Sequence, residues 1–163
     1  MKLNLAASVL AVLVFSVSMF SQGQPGSGVT AEMRTAANAL YQASDWQKAV
    51  TAYEKIVALE PANPNANYRL GMSLLNLERN ADAQKPLEKA FTTSPNPIFG
   101  MALARSYARA GDKAKALDTL DKSTATGGIA QETLNSEKDF AAWKDDTGFK
   151  EVVRKNDLAV NPC

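Results

Sequence analysis

The chain has 163 residues, with 18 basic and 17 acidic side chains, no histidine and a single cysteine. This nearly balanced charge, without a basic patch, argues against nucleic-acid and other polyanionic partners. The absence of histidine removes the usual nucleophile pairs, the commonest general base and most zinc sites, and no glycine-rich phosphate loop occurs. Paired carboxylates such as Asp145 and Asp146 are interpreted as solvated helix faces and helix caps. We therefore expect a protein that is not an enzyme and that holds no cofactor or metal.

Residues 1–23 have the pattern of a secretory signal peptide. Lys2 supplies a short positive region, an uncharged apolar run covers residues 5–20, and Ser21 and Gly23 are small residues ahead of a cleavage site. The alternative is an uncleaved membrane anchor, although the run is shorter than the roughly 20 residues that a spanning helix needs. The pattern predicts export to a periplasm or to the exterior, with no stable membrane insertion once the signal is removed.

Residues 24–29 form a short leader rich in small residues, and from Thr30 onward the chain repeats itself. Four positions recur at an offset of 34, the pairs being Ala49 and Ala83, Tyr53 and Leu87, Ile56 and Ala90, and Pro61 and Pro95. A third copy follows at an offset of 33, which gives units at 30–63, 64–96 and 97–128. A period in this range is typical of stacked helical repeats, which usually present surfaces that bind other proteins.

Each unit contains two stretches with apolar residues at helical spacing. They predict helices at about 31–43, 46–59, 65–77, 81–92, 98–110 and 114–123. Thr30 is the expected N-cap of the first helix. Gly71 is expected where the two helices of the second unit cross closely, because only a small side chain fits there. Pro86 is expected to bend the fourth helix without ending it.

Residues 129–155 have no repeat period. A stack of repeats ends in an apolar face that needs a cover, and this segment contains six large apolar side chains, namely Leu134, Phe140, Trp143, Phe149, Val152 and Val153. We therefore predict a helical C-terminal cap. Residues 156–163 are predicted to be a loose tail that ends in Cys163, whose thiol is either free at a frayed terminus or paired with another chain.

The repeat positions resemble the tetratricopeptide repeat. Alanine at repeat position 20, a large apolar residue at 24, proline at 32 and the Gly111-Asp112 turn all match, over roughly residues 30–128. The third unit departs from the pattern at Ser123 and Gly128, where alanine and proline are usual. The stretch from 134 to 153 is similar to the terminal segment of many bacterial proteins of this kind. The resemblance implies an all-α, right-handed α-solenoid of about three helical hairpins with a helical C-terminal cap.

In this family the first helix of each hairpin lines a concave face, along which ligands lie. The resemblance implies a peptide-binding groove made by eight residues: Arg34, Asn38, Tyr41, Asn65, Tyr68, Met72, Met101 and Arg105. Arg105 is expected on the open face. The alternative for Met72 and Met101 is packing beneath the neighbouring hairpin, since methionine commonly fills gaps. Some members of the family bind a C-terminal carboxylate with several cations and asparagines, but that clamp is incomplete here because Arg69, Ile98 and Ala102 replace part of it.

The leading interpretation is an exported, non-catalytic adaptor or scaffold of a bacterial cell envelope that binds a peptide or protein segment in this groove. The alternative is a structural subunit that is assembled permanently in an envelope complex or a homo-oligomer. The defining positions of the repeat are structural, so they do not identify the partner.

Overall fold

The computed structural model describes residues 28–161. The predicted signal peptide, most of the leader and Cys163 lie outside the described residues. Six helices form the three repeat units: α1 Ala31–Gln42, α2 Trp46–Leu59, α3 Pro64–Asn76, α4 Asn80–Thr93, α5 Pro97–Arg109 and α6 Lys113–Thr124. Three shorter or terminal elements follow: α7 Gln131–Ser136, a 3₁₀ helix Lys138–Trp143 and α8 Thr147–Val160. There is no strand among residues 28–161. The predicted all-helical fold is thus confirmed.

Five of the six repeat helices begin at a side chain that accepts a hydrogen bond from a backbone N–H of the first turn. These caps are Thr30, Asp45, Asn63, Asn96 and Asp112. Such caps satisfy backbone donors that have no partner inside the helix. Proline follows the cap at Pro64 and Pro97, where its fixed φ suits the first helical position. The exception is α4, whose N-cap Arg79 makes no side-chain cap hydrogen bond.

The turn inside each hairpin places one residue in the left-handed region. Ser44 has φ 58°, Glu78 has φ 59° and Gly111 has φ 83°. Only the third unit therefore has the residue that adopts this conformation without steric cost. In the first two units a side chain occupies the same backbone position.

Consecutive helices pack as antiparallel neighbours around one core made by the first two units and part of the third. Gly71 lies at the predicted crossing, because a Cβ placed on it would overlap the Leu87 side chain. Gly100 makes a second close approach that the repeat pattern did not indicate. A Cβ there would overlap the Ser123 side chain and contact Phe91 at 3.1 Å. Ser123 is fully buried and its Oγ has no hydrogen-bond partner among the described residues.

Pro86 lies in the interior of α4, which continues past it to Thr93. The expectation that this proline does not end the helix is therefore confirmed. Within residues 28–161, no helix has both the length and the apolar character needed to cross a membrane.

The C-terminal segment covers the last repeat. Phe140, Phe149 and Leu134 are buried against Met101 and Leu120 in a second hydrophobic cluster. Rings of Phe140 and Trp143 stack with centroids 5.7 Å apart, and Phe140 and Phe149 are 6.0 Å apart. The predicted cap is thus present.

The expected loose tail from residue 156 is wrong for its first part, since α8 continues to Val160. Asn156 is completely buried. Its amide accepts a hydrogen bond from the Ile129 N–H and donates one to the Ile129 carbonyl, both at 2.6 Å. This residue therefore joins the last helix to the segment that follows the third unit.

Candidate functional site

The first helices of the three hairpins, α1, α3 and α5, form a shared surface that we call the first-helix groove. It contains two cavities that meet at Asn65, which lines both. One, the apolar cavity, lies between α3 and α5, and residues 128–137 form its third wall. The other, the polar cavity, lies between α1 and α3 beside α2.

The apolar cavity has a volume of about 690 Å³. It brings together five of the eight predicted groove residues, namely Asn65, Tyr68, Met72, Met101 and Arg105. Helix α3 places Asn65, Tyr68 and Met72 on one stripe, since residues three and four apart share a helix face. The volume is within the range of about 300–1,000 Å³ that is common for ligand pockets.

Aromatic and aliphatic side chains form the walls of this cavity. The rings of Tyr68 and Phe99 stack with centroids 4.9 Å apart. Burial raises the pKa of the Tyr68 hydroxyl, despite the opposing influence of Arg105 and Arg69 nearby. Ile98, at the mouth, is 65% exposed and is the most exposed large hydrophobic residue of residues 28–161. An isoleucine that remains in water beside an apolar cavity is a candidate contact for another molecule.

The third wall of the apolar cavity comes from the chain beyond the repeats. Ile129, Thr133 and Glu137 line it, together with backbone around Gly128. These residues could not be assigned to the groove from the sequence, because they lie about 60 residues after α3 and outside the repeat pattern. The only indication in the sequence that these residues lie near the groove was the apolar composition of residues 129–155, which predicted that they pack on the third unit.

Arg105 is not an open, unpaired cation, so this part of the expectation is wrong. Its Nε lies 3.2 Å from a Glu137 carboxylate oxygen and 2.9 Å from Asp139 Oδ2, and its side chain is only 23% exposed. Arg109 also pairs with Asp139, at 2.9 Å, and donates to the carbonyl of Leu75 at 3.1 Å. We call these four charged residues the Arg105–Asp139 latch. It fixes the end of the third wall to α5.

The carboxyl of Asp139 is partly buried in the latch. Burial is the largest single influence on its pKa and raises it, but hydrogen bonds from Arg109 and Arg105 outweigh this effect and lower the pKa overall. Asp139 is therefore an anion at neutral pH, and it neutralises the cations at this end of the groove.

The polar cavity, of about 320 Å³, contains three of the predicted groove residues: Arg34, Asn38 and Asn65. Tyr53 donates its hydroxyl proton to Asn38 Oδ1 at 2.7 Å. Arg69 also donates to Asn38 Oδ1, and it donates to the Tyr53 hydroxyl at 3.1 Å. Asn38 is thus a structural acceptor that holds a tyrosine and an arginine in place.

Arg69 was not among the predicted groove residues, although the family comparison drew attention to its position. Its two hydrogen bonds to protein both use Nη1. A guanidinium has five N–H donors, so the donors on Nη2 and Nε have no partner among the described residues. Within residues 28–161, no carboxylate forms an ion pair with Arg69. Arg69, which lines the polar cavity, is therefore a positioned cation with spare donors.

Two other predicted residues have supporting contacts. Tyr41 lines neither cavity. Its ring lies edge-on to Trp46 and Tyr53, with centroid distances of 5.4 and 6.2 Å, and the Arg69 guanidinium lies 5.5 Å from its centroid. Arg34 pairs with Glu60, but its side chain remains 43% exposed. Tyr41 thus helps to orient Arg69, and Arg34 is a partly neutralised cation at the edge of the polar cavity.

The family model of the tetratricopeptide repeat matches the chain twice, at residues 34–96 and 68–128. The two matches together cover more than half of the chain. The chain belongs to the tetratricopeptide repeat family. No significant match is found among curated proteins. Repeats of this family generally mediate interactions between proteins, and the fold is typically that of a non-catalytic adaptor.

Proposed function

We propose that the protein is an exported, non-catalytic adaptor that holds a segment of another protein in the first-helix groove. The observation that carries this proposal is the apolar cavity with the exposed Ile98 at its mouth. A single large apolar side chain that is buried there contributes about 1.5–3 kcal/mol. We expect a micromolar dissociation constant, a binding free energy of about −8 kcal/mol after the cost of association and ordering is deducted.

Export is supported by the charge and apolar pattern of residues 1–23. The test is to express the complete chain in a bacterium, fractionate the cells and determine the N-terminal residue of the product by mass spectrometry. A product in the envelope fraction that begins at Gln24 is expected. A product that retains Met1 and remains in the cytoplasm would contradict export, while the same N-terminus in the membrane fraction would favour the anchor.

Binding in the groove is tested by photo-crosslinking in the native cell. A photoreactive amino acid replaces Ile98, at the mouth of the apolar cavity. In the matched control it replaces Leu158, which is 52% exposed on α8 and lines neither cavity of the groove. A protein that crosslinks at position 98 and not at position 158 is the expected result. Equal crosslinking at both positions would place the contact outside the groove.

A second cavity, away from the first-helix groove, is the main alternative binding site for a partner. A cavity of about 640 Å³ lies between α2, α3 and α4 and is lined by Val57, Leu70, Pro86, Lys85 and Lys89, among others. Replacing Lys89, which is exposed on that surface, with the photoreactive residue provides a third position. Crosslinking there alone would move the binding site away from the first-helix groove. Light scattering on the purified protein checks the alternative function, since a stable homo-oligomer would favour a structural subunit.

A further inference from the structure

We infer that the polar and apolar cavities form one two-part site for an extended, internal segment that carries an acidic side chain about three residues from a large apolar one. The inference rests on the proposed function, because it specifies the chemistry of the segment that the groove holds. The acidic side chain binds at Arg69 in the polar cavity. The apolar side chain enters the apolar cavity between Tyr68 and Ile98.

The acidic part follows from the state of Arg69. Asn38 and Tyr53 hold its Nη1, and the ring of Tyr41 lies against its guanidinium. These contacts fix the orientation of the guanidinium but leave its charge without a carboxylate among residues 28–161. A preorganised arginine whose Nε and Nη2 donors form one free edge matches the bidentate geometry of a carboxylate.

The N-terminus of α3 lies at the same cavity. Asn63, Asn65 and Ala66, from the cap and first turn of this 13-residue helix, all line the polar cavity. The positive end of the helix dipole therefore favours an anion here, in addition to Arg69. Glu60 does not line the cavity and is occupied by Arg34 and by the Asn63 amide, which donates to it at 2.8 Å.

The opposite end of the groove does not offer the same charge. Arg105 and Arg109 are already paired with Glu137 and Asp139. An acidic partner would have to displace carboxylates that belong to the same chain and are held at high local concentration. The charge pattern thus assigns the acidic residue to the Arg69 end and leaves the apolar cavity for an uncharged side chain.

The spacing follows from the helix packing. The polar cavity lies between α1 and α3 and the apolar cavity between α3 and α5, with Asn65 on the border. The two cavities lie on opposite sides of α3, and a helix with its side chains is about 10–12 Å across, so the two cavities are separated by about that distance. An extended chain advances about 3.3 Å per residue, so about three residues separate the acidic and the apolar side chains. The acidic group is taken as a side chain of an internal sequence, and a free C-terminal carboxylate is the alternative that the experiment distinguishes.

The probe is a random 12-residue peptide library, displayed with both ends fused so that no free carboxylate is present. It is selected against the purified protein, and enriched sequences are synthesised as acetylated, amidated peptides for fluorescence anisotropy. We expect an acidic residue and a large apolar residue about three positions apart in the enriched sequences. Neutralising the acidic residue to its amide should weaken binding at least about tenfold, as expected for the loss of a charge-assisted hydrogen bond.

Protein variants then assign each half of the peptide. Arg69→Gln should remove the difference between the acidic and the amide peptide, and Ile98→Ser should remove the benefit of the apolar side chain. Leu158→Ser, at a comparably exposed site on α8, should change neither. The amide peptide also tests the acidic half on the unchanged protein, so the inference remains testable even if Arg69→Gln unfolds.

Three results would overturn the inference: enriched peptides without the acidic residue, peptides that bind both variants as tightly as the unchanged protein, or no enrichment at all. A free C-terminal carboxylate that binds better than the internal acidic residue would also overturn it. The crosslinking at position 98 is independent of this chemistry. A partner captured there, together with a failed peptide test, would leave the proposed function intact and reject only the two-part site.

Discussion

At the amino-terminal end of the repeat stack, the exposed side chains of α1 are short or polar, as at Ala31, Thr35, Ala36 and Ala39. At the carboxyl end, α5 and α6 contribute large side chains to a cluster that Phe140, Phe149 and Leu134 bury. The stabilisation from burial scales with apolar area, about 25 cal/mol per Å². A helix that presents alanine methyl groups leaves little such area in water, whereas the third unit leaves much. The composition of the outermost helices therefore decides which end of this stack requires a cap.

The largest effect is expected from removing the cap. Deletion of residues 129–163 exposes the apolar cluster of the third unit, and each large side chain that loses its burial costs about 1.5–3 kcal/mol. A domain of this size has only about 5–15 kcal/mol of stability in total. We expect a protein that aggregates or does not fold, as measured by light scattering and circular dichroism. A monomeric truncation that melts at the temperature of the full chain would show that the two ends do not differ in this way.

Two substitutions on α8 test how much stability a buried side chain of the cap contributes. Phe149 is almost completely buried, so Phe149→Ala should lower the free energy of unfolding by about 3–5 kcal/mol. The matched control on the same helix is Leu158→Ala, on the exposed side, which should change the free energy of unfolding by less than about 0.5 kcal/mol. Urea denaturation measures both. Equal losses for the two variants would indicate that α8 does not pack on the third unit as described.

The arginines at the two ends should also differ. Arg105→Gln removes the cation beside Glu137 and one of two beside Asp139, in a latch that is mostly buried, and should cost about 1–3 kcal/mol. Arg34→Gln removes a more exposed ion pair and should cost less than about 1 kcal/mol. Thermal melting at low and moderate salt separates the two. An equal, small loss for the two variants would support the expectation from the sequence that Arg105 lies on an open face.

The pH dependence of the latch provides a control. Since the pKa of Asp139 is lower in the folded protein than its usual value near 3.9, its contribution to stability is complete above about pH 5 and is lost as the pH falls through the folded pKa. The difference in unfolding free energy between the natural protein and Asp139→Asn should be constant from neutral pH to about pH 5. It should then decrease below about pH 4. A difference that persists in strong acid would mean that the negative charge of Asp139 does not stabilise the latch.

The hairpin turns at the two ends give a smaller and opposite pair of effects. Ser44 in the first hairpin has a left-handed backbone conformation, which glycine adopts without the steric cost of a side chain. Ser44→Gly should therefore raise stability by up to about 1 kcal/mol. Gly111→Ala in the third hairpin introduces that strain and should lower stability by about 1 kcal/mol. Chemical denaturation of the single and double variants gives the two values. Effects of the same sign would contradict the shared turn geometry.

The smallest effect is expected on the outer side of α1. Ala39→Glu places a charge on an exposed position and should change stability by less than about 0.5 kcal/mol. It should also leave the mass measured by light scattering unchanged. A homo-oligomer that this variant dissociates would show that the amino-terminal end is an interface, and would favour the structural subunit over the adaptor.

The repeat helices could be predicted because they depend on local periodicity, and the cap because its large apolar side chains follow a stack whose end needs a cover. The capping residues lie three positions from the N–H groups that they accept from, and Gly71 and the alanines recur at a fixed place in each repeat. The far wall of the groove could not be predicted in this way. Glu137 and Asp139 pair with arginines about 30 residues earlier, and Asn156 bonds to Ile129 at a separation of 27. No periodic pattern links such residues, so the pairing of Arg105 was missed.

The Ile129 and Asn156 contact has a consequence for how the protein is made. A ribosome releases the chain from its amino terminus, so the third unit is complete before α8 exists. Until Asn156 reaches the Ile129 backbone, the apolar face of α5 and α6 remains in water. Chains whose synthesis stops early thus expose a hydrophobic surface that chaperones and proteases bind. A molecule that lacks the last helix would therefore differ from a complete one by this exposed surface.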